Sequence, residues 1–290
     1  MLGQTIVNGL LTGGLYAIAA IGFSMVWGVM GIINMAHGSF IMLGAYVSYI
    51  VFAGLGIDPF ASLPLTMAVL FVLGYLVQRL LLNRLMRTSL LLSLVLTFGL
   101  DLVLINLCLL VFSADLRSVN TAYTSQSLAL GPLLVPIVRL AVFLLALMLA
   151  GGFYLFLNRA KAGQAILATA LDKETARLMG IDPLKVYALT AGAGAALAGA
   201  AGSFASMLYP ISPNMGLTFI GSVFVITVLG GIGSIEGAVL AGLLYGLIQS
   251  FAASLLGVNY EEIVAFVMFL VILVLRPQGL LGKRFYGEPV

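Results

Sequence analysis

The stretch MLGQTIVNGLLTGGLYAIAAIGFSMVWGVMGIINMAHGSFIMLGAYVSYIVFAGLGI, Met1 to Ile57, contains no Asp, Glu, Lys or Arg. A membrane-spanning helix needs about 20 predominantly apolar residues, so this segment alone has room for two. The same bias runs through the chain: of 290 residues, 62% are hydrophobic and 8% charged, and the mean hydropathy is +1.19. An ordinary soluble domain carries about 25% charged residues. A chain this apolar could not cover itself with polar groups in water, whereas lipid removes that requirement. A secretory leader has a basic head and a short apolar core. The opening stretch has no basic residue and a longer apolar run, so it is expected to remain as the first span.

Only helices and closed barrels satisfy every backbone group in hydrocarbon. Barrel strands alternate apolar and polar residues over about ten positions, but Leu90–Phe112 and Leu133–Leu157 are predominantly apolar without that alternation, each with one charged residue, Asp101 and Arg139. The fold class is therefore all-α, a polytopic helical membrane protein with glycine-broken segments. The runs predict spans over 5–29, 37–55, 60–82, 89–112, 133–157, 184–207, 216–235, 238–256 and 261–275. Only a glycine-rich break separates 216–235 from 238–256, so the count is eight or nine. The whole of 1–290 reads as one transmembrane domain, with 159–185 as its main polar loop.

Lys and Arg collect in cytoplasmic loops. Arg79, Arg84 and Arg87 close the third span; Arg159, Lys161, Lys173, Arg177 and Lys185 fill the longest polar loop; Arg276, Lys283 and Arg284 follow the last span. Placing all three clusters in the cytoplasm agrees with the span list and sends Ser113–Gly131 outside. The net charge of +3 is thus a matter of topology rather than of nucleic-acid binding. Arg139, near the outer end of the fifth span, is expected to snorkel. The single cysteine, Cys108, excludes an intrachain disulfide and reads as a small core hydrophobe.

Two glycine-rich breaks interrupt the apolar pattern. In GFSMVWGVMGIINMAHGSFIMLGAYV, Gly22 to Val47, three glycines (Gly28, Gly31 and Gly38) surround Asn34 and His37. Transporters build substrate sites from interrupted helices; a plain cytoplasmic turn is the other reading. In VLGGIGSIEGAV, Val228 to Val239, the same form carries one ionisable residue, Glu236, and suggests an internal repeat. The small-residue run AGAGAALAGAAGSF, Ala191 to Phe204, reads as a packing helix, because small side chains let backbones approach closely where lipid offers no hydrophobic drive. It would pack within this chain or against a second membrane subunit.

The loop RAKAGQAILATALDKETARLMGIDPLK, Arg159 to Lys185, places Ile166, Ala170, Ala176 and Met179 near helical spacing beside the charged run Asp172, Lys173, Glu174 and Arg177. Gly180 and Pro183 supply a helix stop. An amphipathic helix of this kind can lie on the membrane or dock into a partner's groove; it is too short and too mixed in charge for a polybasic lipid-binding segment, and docking is the better reading. The phosphate-cradling pattern G-x-x-x-x-G-K-[ST] is absent from the sequence, and there is one histidine. If ATP powers this protein, another chain hydrolyses it.

These residues together resemble the permease subunits of branched-chain amino acid ABC transporters, of the LivH type. The landmarks are Asn8-Gly9, Tyr16-Ala17, Gly28, Gly31, Asn34 and Ala36-His37-Gly38, then Glu174-Thr175-Ala176 with Gly180, then VLGGIGSIEGA, and finally RPQGLLG at Arg276–Gly282. They span nearly the whole chain in order. The element from Glu174 to Gly180 resembles the E-A-A-x-x-x-G motif by which such permeases engage their ATPases. Two departures stand out: Ser39 where the family often has Glu, and Glu236 where it more often has Pro or an apolar residue.

The resemblance implies a transport subunit, not an enzyme, in a bacterial inner membrane. Its partners would be a second permease subunit (LivM-like, or a second copy), two cytoplasmic ATPases holding the ATP and magnesium, and a periplasmic substrate-binding protein; this chain itself would bind no cofactor and no nucleic acid, its remaining surroundings being membrane lipid. Branched-chain amino acids are the implied substrates, with urea and short amides handled by related permeases. Asn8, Asn34, His37, Ser39, Asp101 and Glu236 are the candidates for the path; Asp172, Glu174, Ala176, Arg177 and Gly180 are those for ATPase coupling. An ATP-independent secondary transporter would normally couple ions through buried ionisable residues, for which only Asp101, Glu236 and His37 are available.

Overall fold

A computed structural model describes residues 2–85, 90–276 and 278–281. Arg87, Lys283 and Arg284 of the basic clusters, and Pro277 and Gly282 of the closing motif, lie outside the described residues. The chain is a multi-pass helical membrane protein. Its helices are α1 (Leu2–Met30), α2 (His37–Leu55), α3 (Pro59–Val77), α4 (Asn83–Leu85), α5 (Leu90–Phe112), α6 (Ile137–Arg159), α7 (Lys161–Leu171), α8 (Lys173–Leu178), α9 (Pro183–Leu208), α10 (Met215–Gly230), α11 (Ile235–Leu256) and α12 (Glu261–Leu275). A π-helical turn, Gln78–Leu82, extends α3, and a 3-10 turn, Val258–Tyr260, precedes α12.

Among the described residues eight helices are long and apolar enough to cross a bilayer. The ninth, α10, has 16 residues, about 24 Å at 1.5 Å per residue, short of a hydrocarbon core about 30 Å thick. The span expected over 216–235 therefore ends early, at Gly230, because Gly231 turns the chain with φ +97°. Residues 209–214, which end in a turn at Pro213-Asn214, lead from the end of α9 to α10. Their Ile211 is fully buried and exchanges backbone hydrogen bonds with Arg117 (2.7 and 3.0 Å).

The helix directions define two ends. Arg79, Arg84, Arg159, Lys161, Lys173, Arg177, Lys185 and Arg276 gather at one, the basic end. Opposite lies a feature the apolar run at 133–157 concealed: β1 (Ser127–Leu130) and β2 (Leu133–Pro136) pair antiparallel, with Leu128 opposite Val135. Gly131 turns the chain at φ +62°, and the fifth span starts only after Pro136. The Gln4 side chain clasps β2, its Nε2 donating to the Leu134 carbonyl (2.7 Å) and its Oε1 accepting from Leu134 N–H (2.9 Å).

At the centre stands α9, the small-residue helix, packed against α1, α2 and α3. A Cβ on Gly22 would lie 2.6 Å from the Gly194 carbonyl, one on Gly44 2.6 Å from that of Gly199, and one on Gly74 2.8 Å from that of Ala191. The packing expected of this helix is thus found within the chain. Cys108 is buried. By contrast α12 and the outer faces of α3 and α5 present their leucines and valines outward, as lipid-facing surfaces do.

Candidate functional site

Between α1 and α2 the chain does not make a plain turn. Gly31 (φ +68°) ends α1, and Gly31–Ala36 runs without helix until α2 begins at His37. His37 is buried, and its Nε2 donates to the Ala19 carbonyl at 3.0 Å. Ala19 lies eleven residues back from Met30 on α1, about 16 Å along the axis. The segment therefore doubles back into the depth of the bundle. Irregular backbone at that depth must be buried in protein or line a watery cavity, and here side chains satisfy it. Asn34 Oδ1 accepts from Ala36 N–H (3.1 Å). From α5, Thr97 Oγ1 accepts from Met35 N–H (3.2 Å) and lies 3.3 Å from the Ile33 carbonyl.

One turn further along α5 sits Asp101, with eleven helical residues on either side, hence near mid-depth. Ser39, in the first turn of α2, donates its Oγ to Asp101 Oδ1 at 2.5 Å. Both residues are buried. The structure thus joins Ser39 to Asp101, and Thr97, which the sequence reading passed over, completes the set. His37 and Asn34 belong to the same break, Asn34 capping its last turn and His37 fixing α2 to α1.

Glu236 sits apart from them, exposed in the first turn of α11. The break that precedes it, Gly231–Ser234, is a tight turn with positive φ at Gly231 and Gly233. Ser234 Oγ accepts from Gly237 N–H (3.0 Å) and caps α11, while Ser24 Oγ accepts from Gly233 N–H (3.0 Å). Its backbone path differs from that of the first break, which disposes of the repeat expected between them. Asn8 lies elsewhere again, on α1 towards the hairpin end. There it lines a cavity of about 770 Å³ together with Gln4, Ser127, Leu134, Arg139 and Met207.

The polar loop, expected as one amphipathic helix, is two. Its break is Asp172, whose carboxylate accepts from Thr175 Oγ1, Glu174 N–H and Thr175 N–H. Those donors hold its pKa below the ordinary carboxylate value. At the other end of α8, Gly180 (φ +83°) closes the helix: Ile181 N–H returns to the Ala176 carbonyl (3.1 Å) and Gly180 N–H to that of Arg177 (3.0 Å), a Schellman stop. Ala176 is buried within the chain, so it seats α8 on the body and offers no surface to a partner. Met179, expected on the inward apolar face, is 79% exposed, with Leu171 at 84% and Leu178 at 87%. Together with exposed Glu174 and Arg177 they make up the outer surface of this element. The packing of α7 on α1, α6 and α9 is tight, since a Cβ on Gly163 would lie 2.5 Å from Leu157 Cα.

A capped, outward-facing helix in the polar loop of a many-spanned bundle fits a transport subunit, and comparison with known proteins agrees. Residues 5–273 match the family described as branched-chain amino acid transport system, permease component. The chain belongs to that family. The BraD high-affinity branched-chain amino acid permease protein of Pseudomonas aeruginosa is 33% identical over 97% of this permease and 95% of its own length. The LivH protein of Escherichia coli K12 is 30% identical over the same shares, and a probable LivH of Methanocaldococcus jannaschii is 27% identical over 92% and 89%. No solved structure matches the permease.

Proposed function

We propose that this chain forms part of the membrane path of a binding-protein-dependent ABC importer for branched-chain amino acids in a bacterial inner membrane. The observation that carries the proposal is α8: a short helix capped at both ends, seated by Ala176, with its Leu178 and Met179, and Leu171 from the end of α7, projecting from the basic end. Apolar side chains that exposed suit a groove on a soluble partner. In this reading the basic end is cytoplasmic, and two ATPase subunits there bind ATP and magnesium and receive α8.

A second permease subunit, LivM-like or another copy of this chain, completes the path, and a periplasmic binding protein delivers substrate at the hairpin end. Movement of the ATPases displaces α8. Because Asp182 and Pro183 start α9 directly after Gly180 and Ile181, the displacement passes to α9 and from it to α1, α2 and α3 as a rigid-body rearrangement. Asp172 and Gly180 shape the coupling helix, Glu174 and Arg177 flank its apolar contact, and the Asn34, His37, Ser39 and Asp101 region serves the path.

Uptake of radiolabelled leucine and of urea into proteoliposomes carrying the complete complex, with and without internal ATP, tests the reading. ATP-dependent leucine uptake is expected. Urea uptake in its place keeps the machine and changes its substrate; transport by this chain alone, indifferent to ATP, refutes it. Gly180→Trp should uncouple ATP hydrolysis from transport, and a variant with normal uptake would remove α8 from the coupling role.

A further inference from the structure

At the hairpin end, the cavity is an open pocket of about 770 Å³, a volume in the roughly 300–1,000 Å³ range of small-molecule sites. Its chemistry is one-sided. Arg139, two residues into α6, lines it half-buried and has no ion-pair partner among the described residues. Asn8 faces it from α1, and its orientation is fixed: Oδ1 accepts from Gln4 Nε2 at 3.1 Å, which leaves the Asn8 amide N–H groups as donors. Gln4 in turn spends both ends of its own amide on Asn8 and β2. No Asp or Glu lines the cavity, and Leu134, Val138 and Met207 form its apolar wall.

A guanidinium and amide donors in one lining, with no carboxylate among the lining residues, suit an anion, and arginine is suited to gripping a carboxylate through two parallel hydrogen bonds. An apolar wall on the same cavity asks for a ligand that is acidic at one end and aliphatic at the other. We infer that this cavity is an entry subsite for the substrate amino acid, in which Arg139 and Asn8 bind its carboxylate and Leu134, Val138 and Met207 receive its branched side chain. The inference rests on the proposed function and names the part of the path first met from the hairpin end. Without an acid in the lining, a substrate with a second cationic group finds no counter-ion here, so the subsite also disfavours basic amino acids.

The test uses Ser127, which lines the cavity from the start of β1. In the assembled complex, carrying Cys108→Ala to remove the native thiol, Ser127→Cys is labelled by a membrane-impermeant maleimide. Millimolar 4-methylpentanoate, which has the carboxylate and the branched chain, should slow labelling about tenfold. Isoamylamine and acetate should leave it unchanged, and Arg139→Gln should abolish the protection while Arg139→Lys keeps part of it. Equal protection by acetate would make this a simple anion site, and protection that survives Arg139→Gln, or none at all, would also overturn the inference. Because labelling needs neither ATP nor the binding protein, its failure is separable from a failure of leucine uptake. For uptake itself, Arg139→Gln should raise the KM at least about tenfold with binding-protein affinity for the complex unchanged; lost binding-protein affinity would turn Arg139 into a docking contact.

Discussion

The two glycine breaks look alike as sequence and are built on different principles. From α10 to α11 the glycines serve proximity: a Cβ on Gly230 would lie 2.5 Å from the carbonyl of Gly237, and one on Gly28 2.5 Å from Gly233 Cα. From α1 to α2 a longer non-helical stretch, Gly31–Ala36, doubles back into the bundle and ends in a turn, and the Asn34 and Thr97 side chains bond its backbone. Gly31 has nothing within 4 Å of its Cβ position; it is there for its left-handed φ alone. The tight turn rests mainly on missing side chains, and the longer non-helical segment on polar ones that bond its backbone.

The sharpest way to break this contrast is to exchange substitutions between the two. Gly230→Val should prevent stable folding, a loss of more than about 3 kcal/mol on the scale of forced overpacking. Gly31→Asn, whose side chain tolerates the left-handed region, should cost under about 1 kcal/mol. Monodispersity and thermal unfolding in detergent distinguish them, and equal damage at both positions would erase the distinction. Next in size is the polar tie. Ser39→Ala leaves the Asp101 carboxylate buried without its donor and should cost about 2 kcal/mol, in the range for hydrogen bonds to charged groups. Adding Asp101→Leu should recover part of that loss, and a strictly additive double-mutant cycle would mean the pair does not interact.

Much of this architecture was legible because lipid imposes length and polarity on every span. The spans at 37–55 and 261–275 appear as expected, and α9 packs as its alanines and glycines suggested. The hairpin was hidden because Leu133, Leu134 and Val135 continue the apolar run of α6; only Gly131-Pro132 and Pro136 marked the interruption. The split of the polar loop at Asp172 was concealed by helix-forming residues on both sides, although Asp is a favoured N-cap residue and Glu174 an acidic group suited to a first helical turn. At the candidate site, Ser39 and Asp101 were each singled out, but nothing in one sequence links positions 62 residues apart. Arg139 was read as a snorkelling charge because the cavity around it is assembled from α1, α6, α9 and the hairpin.

Smaller effects sharpen the comparison further. Thr97→Val removes the hydroxyl that serves Met35 N–H from outside the first break and should cost about 1 kcal/mol, with faster amide exchange across Ile33–Ala36 and none across Gly231–Ser234. The smallest is local to α8. Its Asp172 cap has a pKa depressed by the donors around it, so the cap is fully formed above the ordinary carboxylate value of about 3.9. It is lost only as pH falls through the lowered one. Exchange at Glu174 and Thr175 should stay slow at pH 4 in the parent and become fast there in Asp172→Ala.

The central position of Asp101 also bears on how the chain enters the bilayer as it is made. A carboxylate at the middle of a helix opposes insertion by about 3 kcal/mol, which the eleven leucines of Leu90–Phe112 outweigh at roughly 0.3–0.6 kcal/mol each. Insertion of α5 thus proceeds on composition alone, but the helix arrives with an unmet polar group. Ser39, 62 residues earlier, is synthesised first and waits in α2 to receive it. Order of synthesis and order of docking coincide, and the late-arriving α5 is recruited by a partner already in the membrane.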